Sequence, residues 1–358
     1  MSNDYQGKRQ SNIELLRIIA IIMIICFHYV YKGGFEFETF TFNKFTVKTF
    51  WLFGELGVNL FMLITGYFMI YKVPDKMRML YLWLQVWFYH ILTAVVAYQF
   101  GIFQLQGLKD KILFLFPIIF NRYWYVTVYF LICILVPYIN KFICSLDCES
   151  FKKFLIIVLM AWTIIPTCAG FFFNSTESML YYNRFLWFLI MYCIGAYERM
   201  YGIRFLKDKK IGLALMVAAF SFMSGFICII ENNAMWFEKI GTTESAYFWR
   251  PNNIFMVLLS VSMFSVFCNL KIKYSFIINK FATTTLGVYI LHDGILVRFL
   301  WNDVFHNKTH AHDKNLIAYI LGTALIIYFV GSLIDFIRQF LERRILDRLL
   351  LDDSRNGE

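Results

Sequence analysis

The sequence predicts an all-α fold: a polytopic membrane helical bundle of about ten transmembrane helices, with both termini cytoplasmic. Three observations lead there. Of the 358 residues 59% are hydrophobic and only 16% charged, against about 25% charged in ordinary soluble domains. The apolar residues gather into runs of about 20, the length that crosses a bilayer. Lys and Arg accumulate on alternate connections between those runs, as they do on cytoplasmic loops. Aromatic residues reach 20% and only 5 residues are Pro, a balance that excludes a disordered or collagen-like chain. The net charge of +10 is spread between apolar runs and forms no single patch, so no nucleic-acid partner is expected.

The runs follow in order. The first, 13–32, keeps Arg17 and has no small-residue cleavage site after it, so it reads as a retained span and not a removable signal peptide. The second, 50–71, leads into Lys72, Lys76 and Arg78, and the third, 79–100, returns. The segment 112–120 (ILFLFPIIF) is too short to span and is interrupted by Pro117; it is expected as a re-entrant or interfacial piece. The fourth run, 123–143, carries Lys141 at its end, and the fifth, 154–173, follows Lys152 and Lys153. The sixth, 184–201, and seventh, 211–230, flank Arg199, Arg204, Lys207, Lys209 and Lys210. The eighth, 252–270, and ninth, 281–301, flank Lys271, Lys273 and Lys280. The tenth, 315–340, runs into Arg338, Arg343, Arg344, Arg348 and Arg355. With Lys8, Arg9 and Arg17 these make 22 of the 34 Lys and Arg on one side, which sets the orientation. The 8 Cys include no CxxC, and six lie inside apolar runs, so they read as small buried hydrophobes.

Ionisable groups inside spans are costly and mark candidate sites. The first span places Glu14 and Arg17 near one end and His28 eleven residues beyond Arg17. Eleven helical steps advance about 16 Å and turn through about three circles. Arg17 and His28 therefore share one stripe. Arg17 alone would serve as a snorkelling headgroup contact, and His28 alone as a packed histidine; the two together point to function. The ninth span carries His292, Asp293 and Arg298, three ionisable groups that lipid contact does not explain. His90 lies mid-run in the third span, where a lone histidine ordinarily finds a structural partner. Arg122, Tyr123 and Trp124 stand at the start of the fourth span, where they can stack on a sugar ring or form part of an aromatic belt. His306, His310 and His312 share a loop with Asp303 and Asp313; no metal is predicted there, because scattered His and Asp read equally well as a solvated loop.

Arg followed after ten residues by His in the first span resembles the acyltransferase-three family of integral membrane acyltransferases. Further stretches resemble it in the same order: ELGVNLFMLITGYFMIYK (55–72), YWYVTVYFLICILVPYINK (123–141), RFLWFLIMYCIGAYERMY (184–201) and LGVYILHDGILVRFLW (286–301). The resemblance covers nearly the whole chain, taken as a single transmembrane acyltransferase domain over 1–358. It implies an O-acyltransferase, most often an O-acetyltransferase, of the bacterial inner (plasma) membrane. The acyl donor would be cytoplasmic acyl-CoA, with acetyl-CoA as co-substrate. The acceptor would be a hydroxyl of a cell-envelope or exported polysaccharide or a lipid-linked glycan. Many relatives carry an extracellular hydrolase-like domain; without one, this chain is expected to work within the membrane or with a separate partner. At the family's Arg-x-x-Arg site the sequence reads VPDKMRML, with Lys76 and Arg78 in place of the paired arginines.

The chemistry such a reaction needs is present. Arg17, Lys76 and Arg78 are the candidates for the donor's phosphates, although Lys offers no planar fork and a cytoplasmic loop carries such cations in any case. His28 is the candidate base for a sugar hydroxyl, with a transient acyl-His28 relay as the other route. Glu14, three residues before Arg17, is read as its orienting partner or as a simple intrahelical ion pair. His292, Asp293 and Trp124 are possible supporting residues. A transporter or flippase of a lipid-linked saccharide is the rival reading, since a bundle with a buried polar stripe would serve it too.

Overall fold

A computed structural model describes residues 9–173, 182–233, 235, 237 and 245–356. Lys8 lies outside the described residues, as do the side chains of Arg348 and Arg355. Among the described residues the regular structure is all helical. The elements are α1 (Ser11–Lys32), α2 (Phe42–Phe50), α3 (Leu52–Met69), α4 (Lys76–Gln99), α5 (Gly107–Leu115), α6 (Trp124–Cys144) and α7 (Cys148–Leu159). They continue with α8 (Ile165–Phe173), α9 (Arg184–Met200), α10 (Lys209–Asn232), α11 (Ile254–Cys268), α12 (Phe276–Ala282), α13 (Thr285–His292) and α14 (Leu316–Asn356).

Eight stretches among the described residues are long and apolar enough to cross a membrane: Ser11–Lys32, Phe42–Met69, Lys76–Gln99, Trp124–Cys144, Cys148–Ala169, Lys209–Asn232, Tyr247–Cys268 and Leu316–Arg344. They match eight of the ten expected runs. The sixth run forms α9, whose 17 residues rise only about 25 Å, short of a typical hydrocarbon core. Its ends are fixed locally. Asn183 caps the start by accepting from the Leu186 N–H at 3.1 Å, and Gly202, at φ +71°, lets the chain turn away after Tyr201.

The ninth run is a correction. It is not one helix: α12 stops at Ala282, α13 covers only Thr285–His292, and a three-residue turn, Val297–Phe299, comes later. Thr283 and Thr284 each donate to the carbonyl three residues back, Lys280 O and Phe281 O, both at 2.7 Å. Such side-chain bonds offer the backbone an alternative to continuing the helix. Gly294 follows His292 and Asp293, so the polar residues sit where the helix ends. Broken helices of this kind occur in membrane proteins where they line a cavity. The 112–120 segment is no span either; α5 ends at Leu115 after 9 residues. Between α7 and α8 the chain makes one π-helical turn, Met160–Ile164, just before Pro166, whose missing N–H disrupts the regular ladder. Asp147 caps α7 through the Ser150 side chain and N–H, which hold its carboxyl below the usual range.

Helices α1, α3 and α9 form the centre, with α14, α13, α12 and α11 packed around α1. The α3–α9 contact is unusually close. A Cβ on Gly66 would land on the Tyr192 carbonyl, and one on Gly195 would land on the Leu63 carbonyl. Small residues let backbones approach in this way, which matters most where lipid gives no hydrophobic drive between helices. Buried amides then lock the arrangement. Asn59 on α3 accepts from Trp187 Nε1 at 2.9 Å and donates to Pro251 O at 3.0 Å and Ser260 Oγ at 3.2 Å, joining α3, α9 and the α11 region. Asn140 on α6 accepts from Tyr192 OH and donates to Met69 O, both at 2.7 Å. The outer helices present large apolar side chains outward, among them Ile157 at 67% and Leu325 at 55% exposure. Such a belt is unfavourable in water and natural in lipid.

Candidate active site

Helix α1 runs unbroken from Ser11 to Lys32, so the Arg17–His28 stripe of the sequence is a stripe in space. Both residues line one cavity of about 960 Å³. Helix α1 forms one wall, α3, α4 and α6 add others, and the α12–α13 segment closes the side facing His28.

The buried centre is a cluster of three polar residues from two elements. His28 Nδ1 lies 2.9 Å from His292 Nε2, and His292 Nδ1 lies 2.6 Å from the Val288 carbonyl oxygen on its own helix. The other face of His28 turns to Asp293, with Nε2 3.8 Å from Oδ1. His28 and Asp293 reach the cavity wall; His292 stands behind them and is 1% exposed. Asp293 caps α13, its N–H still donating to Tyr289 O at 3.1 Å, so the last turn of this helix carries both His292 and Asp293 to His28.

Cations gather at the end of the cavity near the start of α1. Arg9, Arg17, Arg78 and Arg338 all line it there, with Glu342 among them. Arg17 Nε lies 3.6 Å from Glu14 Oε2, and both atoms are buried without a hydrogen-bond partner. Glu14 is therefore an ionic neighbour of Arg17, whose Nε is buried against it while the side chain, 30% exposed, lines the cavity. Arg9 donates to Asn279 O at 3.1 Å, fastening this end of α1 to α12. Asp75 starts α4 by accepting from the Arg78 N–H at 2.7 Å. That start places Arg78 on the cavity wall, whereas Lys76 is exposed and is not among the lining residues.

The opposite end is aromatic. Trp124 lines it, with the Arg184 guanidinium 4.5 Å over its ring, and Trp51 packs against Trp249 at 4.1 Å between centroids. Glu55 opens onto the same space and its Oε2 has no hydrogen-bond partner. Between the two ends the wall is largely apolar, with Ile21, Ile24, Val58, Phe61 and Leu286. A long ligand with an anionic head, a thin flexible arm and a polar target at the far end fits this sequence of surfaces.

The other polar candidates stand apart. His90 Nδ1 is 3.2 Å from Tyr123 OH, its ring packs on Phe114, and it does not line the cavity. His310 pairs with Asp313 at 2.6 Å and stacks on Tyr319, and His312 meets Phe37 edge-on. Among the described residues no three His, Cys, Asp or Glu side chains converge as a metal group. Arg298 is exposed beyond the break in the ninth run.

The sequence reading singled out none of Glu55, Arg184, Arg250, Glu342, Arg338 and Lys32 as site candidates, although all line the cavity. Glu55 and Arg338 carried a signal, since both are charged groups within or beside apolar runs. Arg338 is also held by Asp335, a fully buried carboxylate that accepts from Arg338 Nε at 2.7 Å, Tyr89 OH at 2.5 Å and Gln339 Nε2 at 2.7 Å.

The sequence model of one protein family, described as an acyltransferase domain, matches residues 10–334. No curated protein sequence and no solved structure matches the chain. The match takes in the Arg17–His28 stripe, the broken segment with His292 and Asp293, and nearly all of the helical bundle, and on that extent the chain belongs to the acyltransferase-three family and is a multi-pass membrane acyltransferase.

Proposed function

We propose that the chain transfers an acyl group, acetyl in the first instance, from cytoplasmic acyl-CoA to a hydroxyl of a cell-envelope or exported glycan. The observation that carries this reading is one cavity that His28 shares with a cluster of arginines at one end and with aromatic and carboxylate side chains at the other, near His28 itself. Phosphate groups pair well with guanidinium forks, and Arg17 lines the cavity with its side chain 30% exposed. Arg9 and Arg78 supply further positive charge, whereas Arg338 is held in ion pairs with Asp335 and Glu342. The apolar wall suits the thioester arm. Trp124 and the Trp51–Trp249 pair suit the face of a sugar ring, and Glu55 can accept from its hydroxyls.

The reaction then follows. The acceptor oxygen attacks the thioester carbonyl while its proton passes to His28 Nε2. Collapse of the tetrahedral intermediate breaks the C–S bond, and the leaving sulfur takes the proton from His28. Free CoA thiol and an ester remain, and the imidazole returns to its neutral form. Asp293 faces the same nitrogen at 3.8 Å and offsets the positive charge that His28 holds in between. The excess of Lys and Arg on alternate connections supports an orientation with both termini in the cytoplasm and the arginine end opening to the donor; the bacterial plasma membrane comes from the family resemblance alone.

The test is CoA release from labelled acetyl-CoA in membranes holding the chain and host glycolipid, with His28→Ala beside the parent. Release by the parent and its loss in a variant inserted at equal level is the expected result. Equal release from both would remove His28 from the chemistry. Absence of release with several acceptors would favour movement of a saccharide over acyl transfer. Label retained on the parent protein after one turnover would identify a covalent His28 relay instead of direct base catalysis.

A further inference from the structure

His292 touches neither the cavity nor any group the reaction consumes, yet its two ring nitrogens are both committed. We infer that His292 is a positioning residue that holds His28 in the Nδ1–H tautomer, leaving the Nε2 lone pair facing the cavity. The inference rests on His28 acting as the base.

The direction of each hydrogen bond follows from what each atom can do. A carbonyl oxygen only accepts, so the 2.6 Å contact to Val288 O requires His292 Nδ1 to carry a hydrogen. A neutral imidazole has one N–H, and His292 Nε2 is then an acceptor. The group 2.9 Å away is His28 Nδ1, which must therefore donate. His28, also neutral, is left with a bare lone pair at Nε2, the nitrogen that turns toward Asp293 and the cavity. The opposite assignment needs a doubly protonated His292 at a site 1% exposed within the bundle, a costly charge to bury.

The consequence is kinetic. Free histidine prefers hydrogen on Nε2, the form that has no lone pair where the acceptor hydroxyl arrives. The chain from Val288 O through His292 reverses that preference before substrate binds. It stays intact during the reaction: when Nε2 takes the hydroxyl proton, Nδ1–H continues to donate to His292, and the proton leaves again through Nε2. An orienting group that fixes the base's tautomer is the role a buried carboxylate plays in hydrolase triads; here a second imidazole anchored to a helix-end carbonyl takes that place.

The experiment uses the full chain in lipid discs with ¹⁵N-labelled histidine, as the parent, His292→Gln and His292→Met, with His28→Ala to assign the signals. The parent His28 is expected to show hydrogen on Nδ1 and a bare Nε2. Gln puts an amide oxygen near the former Nε2 and should keep both that tautomer and the rate to within about tenfold. Met keeps the volume without a comparable acceptor; His28 should revert to Nε2–H, and acyl transfer should fall by about 10²- to 10⁴-fold, the scale of a wrong-tautomer base. A parent His28 with hydrogen on Nε2 would overturn the inference, and that reading needs no variant to fold. Equal losses in both variants with Nδ1–H intact would overturn it too. The spectrum decides the tautomer, whereas CoA release by the parent decides the acyl-transfer reading, so the two fail separately.

Discussion

Replacing Asp293 by Asn removes one negative charge beside the base and changes almost no volume. Asp293 Oδ1 stands 3.8 Å from His28 Nε2. Two unit charges at that distance attract by about 4.4 kcal/mol at an effective dielectric of ~20, and by about 2.2 kcal/mol if cavity water doubles it. Only the imidazolium formed on the way to the tetrahedral intermediate gains this attraction; the neutral resting His28 does not. The loss therefore falls on kcat, by about 40- to about 1,600-fold at 1.36 kcal/mol per factor of ten. The measurement is CoA release at saturating acetyl-CoA and acceptor, with Asp303→Asn, an exposed carboxylate outside the cavity, as the matched control. KM for the donor should stay near the parent's, because the arginines at the far end are untouched. A rate within threefold of the parent's would refute the reasoning, since it would mean that no ionised carboxylate balances charge on His28.

Arg17→Gln should raise KM for acyl-CoA by about 10- to 100-fold with a smaller effect on kcat, the cost of one charge-assisted hydrogen bond at the wall that Arg17 lines; a donor titration reads it. Asp335→Ala should destabilise the bundle by about 3–5 kcal/mol, because it strips a buried pair of its acceptor and leaves Tyr89 OH and the Arg338 Nε–H unmatched, although Arg338 keeps Glu342. Thermal unfolding in detergent measures that loss. Gly195→Ala should cost about 1–3 kcal/mol by pushing α9 off the Leu63 carbonyl, whereas Gly225→Ala, which meets nothing within 4 Å, should be neutral or slightly stabilising in the same assay.

Much of the helical framework was legible in the sequence because spanning a bilayer is a local requirement. A run of about 20 apolar residues must satisfy its own backbone, and the α-helix does so without help from the rest of the chain. That is why 13–32 appears as α1 and 211–230 as the core of α10. The Arg17–His28 stripe was legible for the same reason: both residues ride on one unbroken helix, and its rise and turn are the same whatever surrounds it. The ninth run shows where this logic stops. Its apolar content is that of a span, but Thr283, Thr284 and Gly294 favour local alternatives to the helix.

Only the tertiary structure decided which distant residues meet. His28 and His292 lie 264 positions apart, and their 2.9 Å contact depends on how α13 packs on α1. The separation of Arg78, at the cavity, from exposed Lys76, two residues away, depends on the start of α4 at Asp75. Glu55 and Arg184 face one space because α3 and α9 come together at Gly66 and Gly195. Helical periodicity tells which residues share a face, but not which face of another helix will oppose it. That second choice is made by close glycine contacts and by buried amides such as Asn59 and Asn140, whose partners are far away in the chain.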